Sequence, residues 1–310
     1  MTVLGGVALA QEGWVAARRG QAGKDLNAVF FQDSKRGWIA GDEGFVSHTE
    51  DSGHSWAQQA TGITEAVNDI YFRNKDDGYL LAGDRIFSTN DGGARWSEVR
   101  RFLPASFGGG MPELYSVRFT NKKSGWVVGS VSRRDQVIDS LLVHTEDAGS
   151  TWQRQRVPTR SELIHLDFVN DDNGWVVGAG GTILHTGDGG ATWTLQRAGI
   201  TGTLYHVDFR NNRSGWAVGE RGTVLRTSDG GENWSTVAVP VRSTLLSVMF
   251  IDEDEGWIVG RGGVILHSGD GGRTWIQQDS KTKQNLYALF INKKNGWAVG
   301  GDGIVLQYER

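Results

Sequence analysis

The sequence predicts an all-β chain: a seven-bladed β-propeller of four-stranded antiparallel blades, closed by an N-terminal strand that completes the last blade. Three observations carry this. A Gly-Trp-apolar-apolar-Gly motif returns along the whole 310-residue chain. A turn built on Asp and Gly, with Trp three residues after the Gly, follows most of its copies. The last unit stops one strand short, while an extra strand precedes the first unit. Self-similarity at a fixed period of this length is the signature of a repeat architecture.

The first motif reads Gly37-Trp-Ile-Ala-Gly41, Gly125-Trp-Val-Val-Gly129, Gly174-Trp-Val-Val-Gly178, Gly215-Trp-Ala-Val-Gly219, Gly256-Trp-Ile-Val-Gly260 and Gly296-Trp-Ala-Val-Gly300. Gly78-Tyr-Leu-Leu-Ala-Gly83 is a variant with Tyr for Trp. The second motif, S/T-x-D-x-G-x-x-W, occupies Thr49–Trp56, Thr89–Trp96, Thr145–Trp152, Thr186–Trp193, Thr227–Trp234 and Ser268–Trp275. Trp193, Trp234 and Trp275 are spaced 41 residues apart.

Each unit divides into four short runs rich in β-branched and aromatic residues, bounded by Gly and Asp. In one unit strand a is Leu204–Phe209, strand b Gly215–Gly219 and strand c Thr223–Thr227, and strand d starts at Trp234. Four strands in about 41 residues is the arithmetic of a propeller blade. The seventh unit supplies strands a to c between Asn285 and Tyr308, and Trp14–Arg18 stands where its strand d is missing. Ring closure by that segment removes two free sheet edges. It also accounts for all 13 tryptophans: six in strands b, six after the Asp turns, and Trp14.

Composition agrees. The 45 Gly and 4 Pro fit many tight turns, and 13 Trp need a core to bury them. A formal net charge of −4 argues against a general nucleic-acid binder. The absence of Cys excludes disulfides, thiolate metal sites and a Cys nucleophile. No apolar run is long enough to span a bilayer. Met1–Ala10 is apolar and uncharged and closes on Ala8-Leu9-Ala10, the small-x-small pattern of a signal-peptide cleavage site. Residues 1–10 therefore read as a signal-peptide remnant, and 11–310 as a single propeller domain outside the cytoplasm.

In the Asp turn the carboxylate is expected to hold backbone N–H groups between strands c and d. Gly takes the positive-φ position, and Trp plugs the space between blades. Asp51, Asp91, Asp147, Asp188, Asp229 and Asp270 are thus structural. One carboxylate per turn does not make a calcium site, which takes six or more oxygens.

This turn is the Asp box, or bacterial neuraminidase repeat, shared by sialidases, xyloglucan-type glycoside hydrolases and sortilin-like receptors. The combination of the two motifs over seven blades most resembles the photosystem II stability/assembly factor-like family, from Trp14 to Tyr308. The resemblance implies a non-catalytic, extracytoplasmic scaffold, without metal or cofactor, that helps assemble a membrane protein complex. Plant and cyanobacterial members hold a reaction-centre subunit through an Arg-rich surface. The implied partner is a protein subunit of a membrane complex, not nucleic acid, and the chain is expected to be monomeric on its own.

Two insertions break the period. One is the d–a loop Arg101–Glu113, entering blade 3. The other is the b–c loop Ser130–Ser140, within blade 3. Strand parity places both on one face, where insertions in a repeat scaffold usually bind. Arg100, Arg101, Arg133, Arg134, Arg154, Arg156 and Arg160 lie in or beside them, in a chain that is acidic overall. Arg binds carboxylates bidentately and stacks on aromatics. Phe102, Leu103, Phe107 and Met111 are read as apolar anchors. The alternative is an ordinary solvated rim with one long flexible loop.

On the inner strands, His165 and Asp167 match His206 and Asp208 one repeat later, and Arg118 takes the Asp position one repeat earlier. Arg118, Asp167 and Asp208 are expected to form inter-blade ion pairs rather than a metal site. Catalysis has little support. Sialidases need an Arg triad and show an Arg-Ile-Pro motif, which is absent here. Asp42, Glu43, Glu220 and Asp302 alternate with Gly and read as hairpin-turn residues. A glycan-binding or sialidase-like propeller and a sortilin-like module remain the alternatives on this scaffold.

Overall fold

In the computed structural model, which describes residues 13–309, seven four-stranded antiparallel sheets form the blades of a ring. Blades 1 to 6 span residues 26–59, 67–101, 111–154, 163–196, 204–236 and 245–278. Blade 7 combines residues 286–309 with strand Gly13–Arg18. Each strand a packs beside the strand a of the next blade around the axis, and that of blade 7 returns to that of blade 1. The expected architecture is the observed one. The expectation for residues 1–10 lies outside the described residues.

The layering within a blade follows from its sequence. Strand b is buried along its whole length, as in Gly215–Gly219, because strands a and c flank it and neighbouring blades cover both its faces. Its Val, Ile, Leu and Ala residues therefore form a continuous apolar run rather than an alternating one. Strand d is the outer edge and is kept to two or three residues, two of them exposed, in blades 1, 4, 5 and 6. Short edges resist pairing with other chains. Every a–b pair carries a register shift near the start of strand a, as between Leu204 and His206. Such bulges increase local twist, which suits strands packed around an axis.

The Asp boxes do what the motif implies. In blade 4, Asp188 Oδ1 accepts from the Thr186 hydroxyl at 2.8 Å and the Thr192 N–H at 2.9 Å. Thr186 Oγ1 in turn accepts the Gly190 N–H at 2.8 Å. The same contacts recur at Asp51, Asp91, Asp147, Asp229 and Asp270. These donors stabilise the charged carboxylate, and they pull Asp51 and Asp270 down to a pKa of about 2.

The tryptophans divide into two roles. The six strand-b indoles, with Trp257 the most accessible at 2 % exposure, are the deepest large side chains. Each of Trp38, Trp175 and Trp216 stacks on the strand-a Phe of the next blade and donates its indole N–H to a carbonyl in that blade's Asp box. The Asp-box tryptophans meet the same Phe edge-on, as Trp234 meets Phe209. The box glycine lets these rings approach: a Cβ on Gly190, at φ +82°, would stand 2.0 Å from Trp126. In blade 2, Tyr79 replaces Trp and donates its hydroxyl to the Ala148 carbonyl. In blade 7, which lacks an Asp box, Trp14 and Tyr308 pack against Trp257 instead.

Closure is a six-residue antiparallel ladder from Gly13 opposite Glu309 to Arg18 opposite Ile304. Among the described residues, no helix is long and apolar enough to cross a membrane.

Candidate functional site

Blade 3 departs from the other six. Its strands a (Met111–Phe119), b (Gly125–Arg133) and c (Gln136–Thr145) are 9, 9 and 10 residues long. The expected loop Ser130–Ser140 is therefore an ordered hairpin standing off the face. Arg134 and Asp135 form its two-residue tip, both at positive φ, +50° and +61°. That is the backbone a tight hairpin with matched twist requires. Strand a accompanies the hairpin, with Met111 opposite Ser132. The other insertion folds into a single 3-10 turn, Pro104–Phe107, against the hairpin, where the Arg133 guanidinium donates to the Gly108 carbonyl.

The two insertions meet as expected, but their side chains sort differently from the sequence reading. Phe102 is not a surface anchor. It is 5 % exposed and belongs to the core between blades 2 and 3, because Trp152, Leu114 and Val131 need a ring there. Phe107 is half-buried against the same core. Arg100 lies over the Phe102 ring and Arg154 over the Phe107 ring, at 5.1 and 5.4 Å. Such stacks hold a guanidinium flat on the surface. Arg101 pairs with Glu98 at 3.1 Å and Arg154 with Asp139 at 2.7 Å. Arg134, Arg156 and Arg160 are exposed. Leu103 and Met111 are exposed at 54 % and 59 %. Between the aromatic stacks lies a cleft of about 420 Å³ lined by Arg100, Leu103, Ser106, Phe107, Trp152 and Arg154.

A second cavity, of about 370 Å³, lies on the ring axis. Asn27, Asn68, Tyr115, Tyr205 and Tyr287 contribute to it, and so do Asp69, Arg118, His165 and His206. Here the expected pairing needs correction. Arg118 pairs with Asp69 of the preceding blade, at 2.9 Å, not with Asp167 or Asp208. Its other Nη lies 3.1 Å from His165 Nε2. Asp167 and Asp208 instead accept the backbone N–H groups of Phe209 and Phe250, each on the next blade, at 2.7 and 2.9 Å. Asp69 likewise accepts the Val117 N–H. The inner carboxylates thus stitch neighbouring strands a together. Asp69 was missed because nothing in its sequence neighbourhood marks it; only the ring geometry brings it to Arg118.

Burial dominates the electrostatics of this cluster. It raises the Asp167 carboxyl, and, with Asp167 close by, it pushes Asp208 up to about 8. Burial, with Arg118 beside it, drops His206 to about 3. His165 falls well below the usual range through burial, the stacked His206 ring 3.6 Å away, and Arg118. Neutral imidazoles do not suffer beside a guanidinium, and protonated ones would. Among the described residues, no group of three or more His, Asp or Glu is arranged to hold a metal ion.

The carboxylates on the b–c face serve their turns. Asp42 Oδ2 accepts the Asp25 N–H and Asp302 Oδ1 accepts the Gly23 N–H, while Glu43 pairs with Lys24. They and Glu220 sit in the b–c turns of blades 1, 5 and 7.

The ring and its turns define an Asp-box β-propeller with one elaborated blade. The family model described as photosynthesis system II assembly factor YCF48 matches residues 55–157, 150–201 and 195–283, well over half of the chain. The chain belongs to that family. It is 30 % identical over 95 residues to a photosystem II assembly lipoprotein Ycf48 from Synechococcus sp. (strain CC9902), a match covering 30 % of this chain and 24 % of that one. The matched segment is thus about a quarter of that relative's length. The structure of a YCF48 bound to D1 peptide superposes with a TM-score of 0.78 at 22 % identity, covering 98 % of this chain and 97 % of that one. A virginiamycin B lyase from Staphylococcus aureus reaches 0.78 at 11 % identity, covering 97 % and 100 %. At these identities both likenesses are of fold alone, and the second is an enzyme.

Proposed function

We propose that this protein is a non-catalytic, extracytoplasmic scaffold that holds a protein subunit of a membrane complex, as an assembly factor or a bound accessory subunit. In a phototroph the complex would be a photosynthetic reaction centre. The observation that carries the reading is the elaborated face of blade 3. It presents an ordered hairpin, a cleft of about 420 Å³ and a set of exposed arginines, in a chain with a net charge of −4. Family membership supports the same reading, as does the solved YCF48 that is bound to a D1 peptide. The signal-like pattern ending at Ala10 supports export. The turn roles of Asp42, Glu43 and Asp302 speak against a glycosidase, which needs two carboxyl groups flanking one bond.

The test is affinity capture from detergent-solubilised native membranes, beside a variant with Arg134, Arg156 and Arg160 changed to Glu. The wild type is expected to retain a membrane complex that the folded variant loses. Equal capture by both would remove the arginine face from the interaction. No capture by either would remove the scaffold reading.

A further inference from the structure

Four of the seven exposed large hydrophobic residues among the described residues lie on or beside one structure, the blade 3 hairpin: Leu103, Met111, Val137 and Ile138. They do not form one flat patch. Met111, Ser132 and Val137 are directly opposite one another across three strands, so their side chains share one face of the sheet. Ile138 falls at a register shift and lies by Gly110, close to Val131, whose side chain points to the other face. The Arg133 side chain also belongs to that other face, one residue from Ser132.

The outer edge of this sheet is open. Strand d of blade 3, Gln153–Arg154, pairs only with Val143 and His144 of strand c, and the Gln155 N–H reaches Leu142. Further out, the Arg154 guanidinium takes the Ser140 carbonyl. Among the described residues, the outer backbone edge of Gln136–Asp139 has no strand beside it. An open edge with apolar side chains on both faces is what an added strand would cover, because its own side chains alternate between the two faces. A globular partner laid on one face would leave the other wet. The bulge at Ile138 keeps the free stretch short, which limits indiscriminate pairing.

We infer that this edge takes an extended acidic segment of the partner as a further β-strand of blade 3. Apolar side chains of that segment lie over Val137, and its carboxylates lie toward Arg156 and Arg160, on the chain that follows strand d beside Leu142 and Ser140. The inference rests on the scaffold reading and adds the binding mode to it.

The test uses an eight-residue peptide alternating Val and Glu, and two N-methylated forms. One form is methylated at every Val and the other at every Glu, so each blocks the donors along one edge of the extended peptide. Binding to the full chain is read by fluorescence anisotropy, and amide exchange is followed over residues 136–139. The parent peptide is expected to bind and to slow exchange there. One methylated form should lose about tenfold or more while the other stays near the parent, since several backbone hydrogen bonds are at stake on one edge only. Equal binding by all three peptides would overturn strand addition, and so would unchanged exchange. If the parent peptide fails while the membrane subunit is still captured, this inference falls and the scaffold reading stands.

Discussion

Trp175 and Phe209 stack with their centroids 3.5 Å apart and 7° between planes, although they belong to neighbouring blades. The Trp175 indole also donates to the Gly230 carbonyl of the Asp box in that neighbour, at 3.0 Å. The repeat motif is therefore read across the blade boundary: the Gly-Trp of one blade is completed by the strand a and Asp box of the next.

Truncating this contact should destabilise the ring strongly. Trp175→Ala is expected to cost about 3–5 kcal/mol, as large-to-small changes in a close-packed core do. Trp193→Ala, in an Asp box, should fall in the same range, because its ring is 7 % exposed and meets both Trp126 and Phe168 edge-on. Denaturant midpoints at constant slope measure both. A loss under about 1 kcal/mol for either would mean that the ring is not a core plug.

Two substitutions in equivalent turns should act in opposite directions. Ala148 holds a left-handed conformation at φ +60°, where four of the other five boxes place Gly and the first places Ser52. Ala148→Gly relieves about 1–2 kcal/mol of strain against about 0.5–1 kcal/mol of added chain entropy, so a small gain in stability is expected. Gly190→Ala should instead cost about 1–3 kcal/mol, since the new methyl would overlap Trp126. Thermal unfolding of the pair would show one midpoint rise and the other fall. Two shifts of the same sign would contradict the turn geometry.

The pH profile of stability should have two limbs. Asp51 and Asp270, held near 2, bind protons more readily when unfolded. Their stabilisation is present above about pH 4 and is lost as pH falls toward 2. Asp208, raised to about 8, behaves oppositely: its folded state holds a proton that the unfolded chain releases near 4. Stability from this group falls as pH rises from about 4 to 8. His206, lowered to about 3, offsets that fall up to about pH 6.5. The net decline should therefore show between about pH 6.5 and 8. Asp208→Asn keeps an acceptor for the Phe250 N–H and should flatten it. A decline that survives in the variant would assign it to another group.

The Arg118–Asp69 pair should be costly to halve and cheaper to remove whole. Arg118→Met leaves the partly buried Asp69 with only the Val117 and Ile70 N–H groups to satisfy it, at an expected cost of about 3 kcal/mol. Arg118→Met with Asp69→Leu should recover part of that loss. No recovery would mean that the pair acts through packing of Arg118 on Tyr71 rather than through charge.

The ring was legible in the sequence because each blade writes the same local rules, from Gly37-Trp38 to Gly296-Trp297. The closing strand was legible as well, since Trp14 supplied the ring that blade 7 lacked. The site was legible only in outline. The period located the blade 3 insertions and strand parity put them on one face. Yet Phe102 looks the same in sequence whether it faces solvent or Trp152, and hydrophobicity alone favoured neither. The hairpin was read as a loop because Arg133-Arg134-Asp135 carries no Gly or Asn to announce a tight turn. Asp69 and Arg118 are 49 residues apart, a separation that only the ring geometry brings to hydrogen-bond distance.

The closing ladder also fixes how the protein would be leashed. Arg19 and Gly20 donate to Gly303 in a b–c turn, so the strand from Gly13 reaches the elaborated face at its far end. Gly13 and Glu309 therefore leave together from the Asp-box side, back to back with Arg134. A tether joined at either place pulls on the same blade and from behind. To bring the blade 3 hairpin against whatever holds that tether, the linking segment has to run around the rim, and its length decides whether the two sides of the ring meet one surface or two.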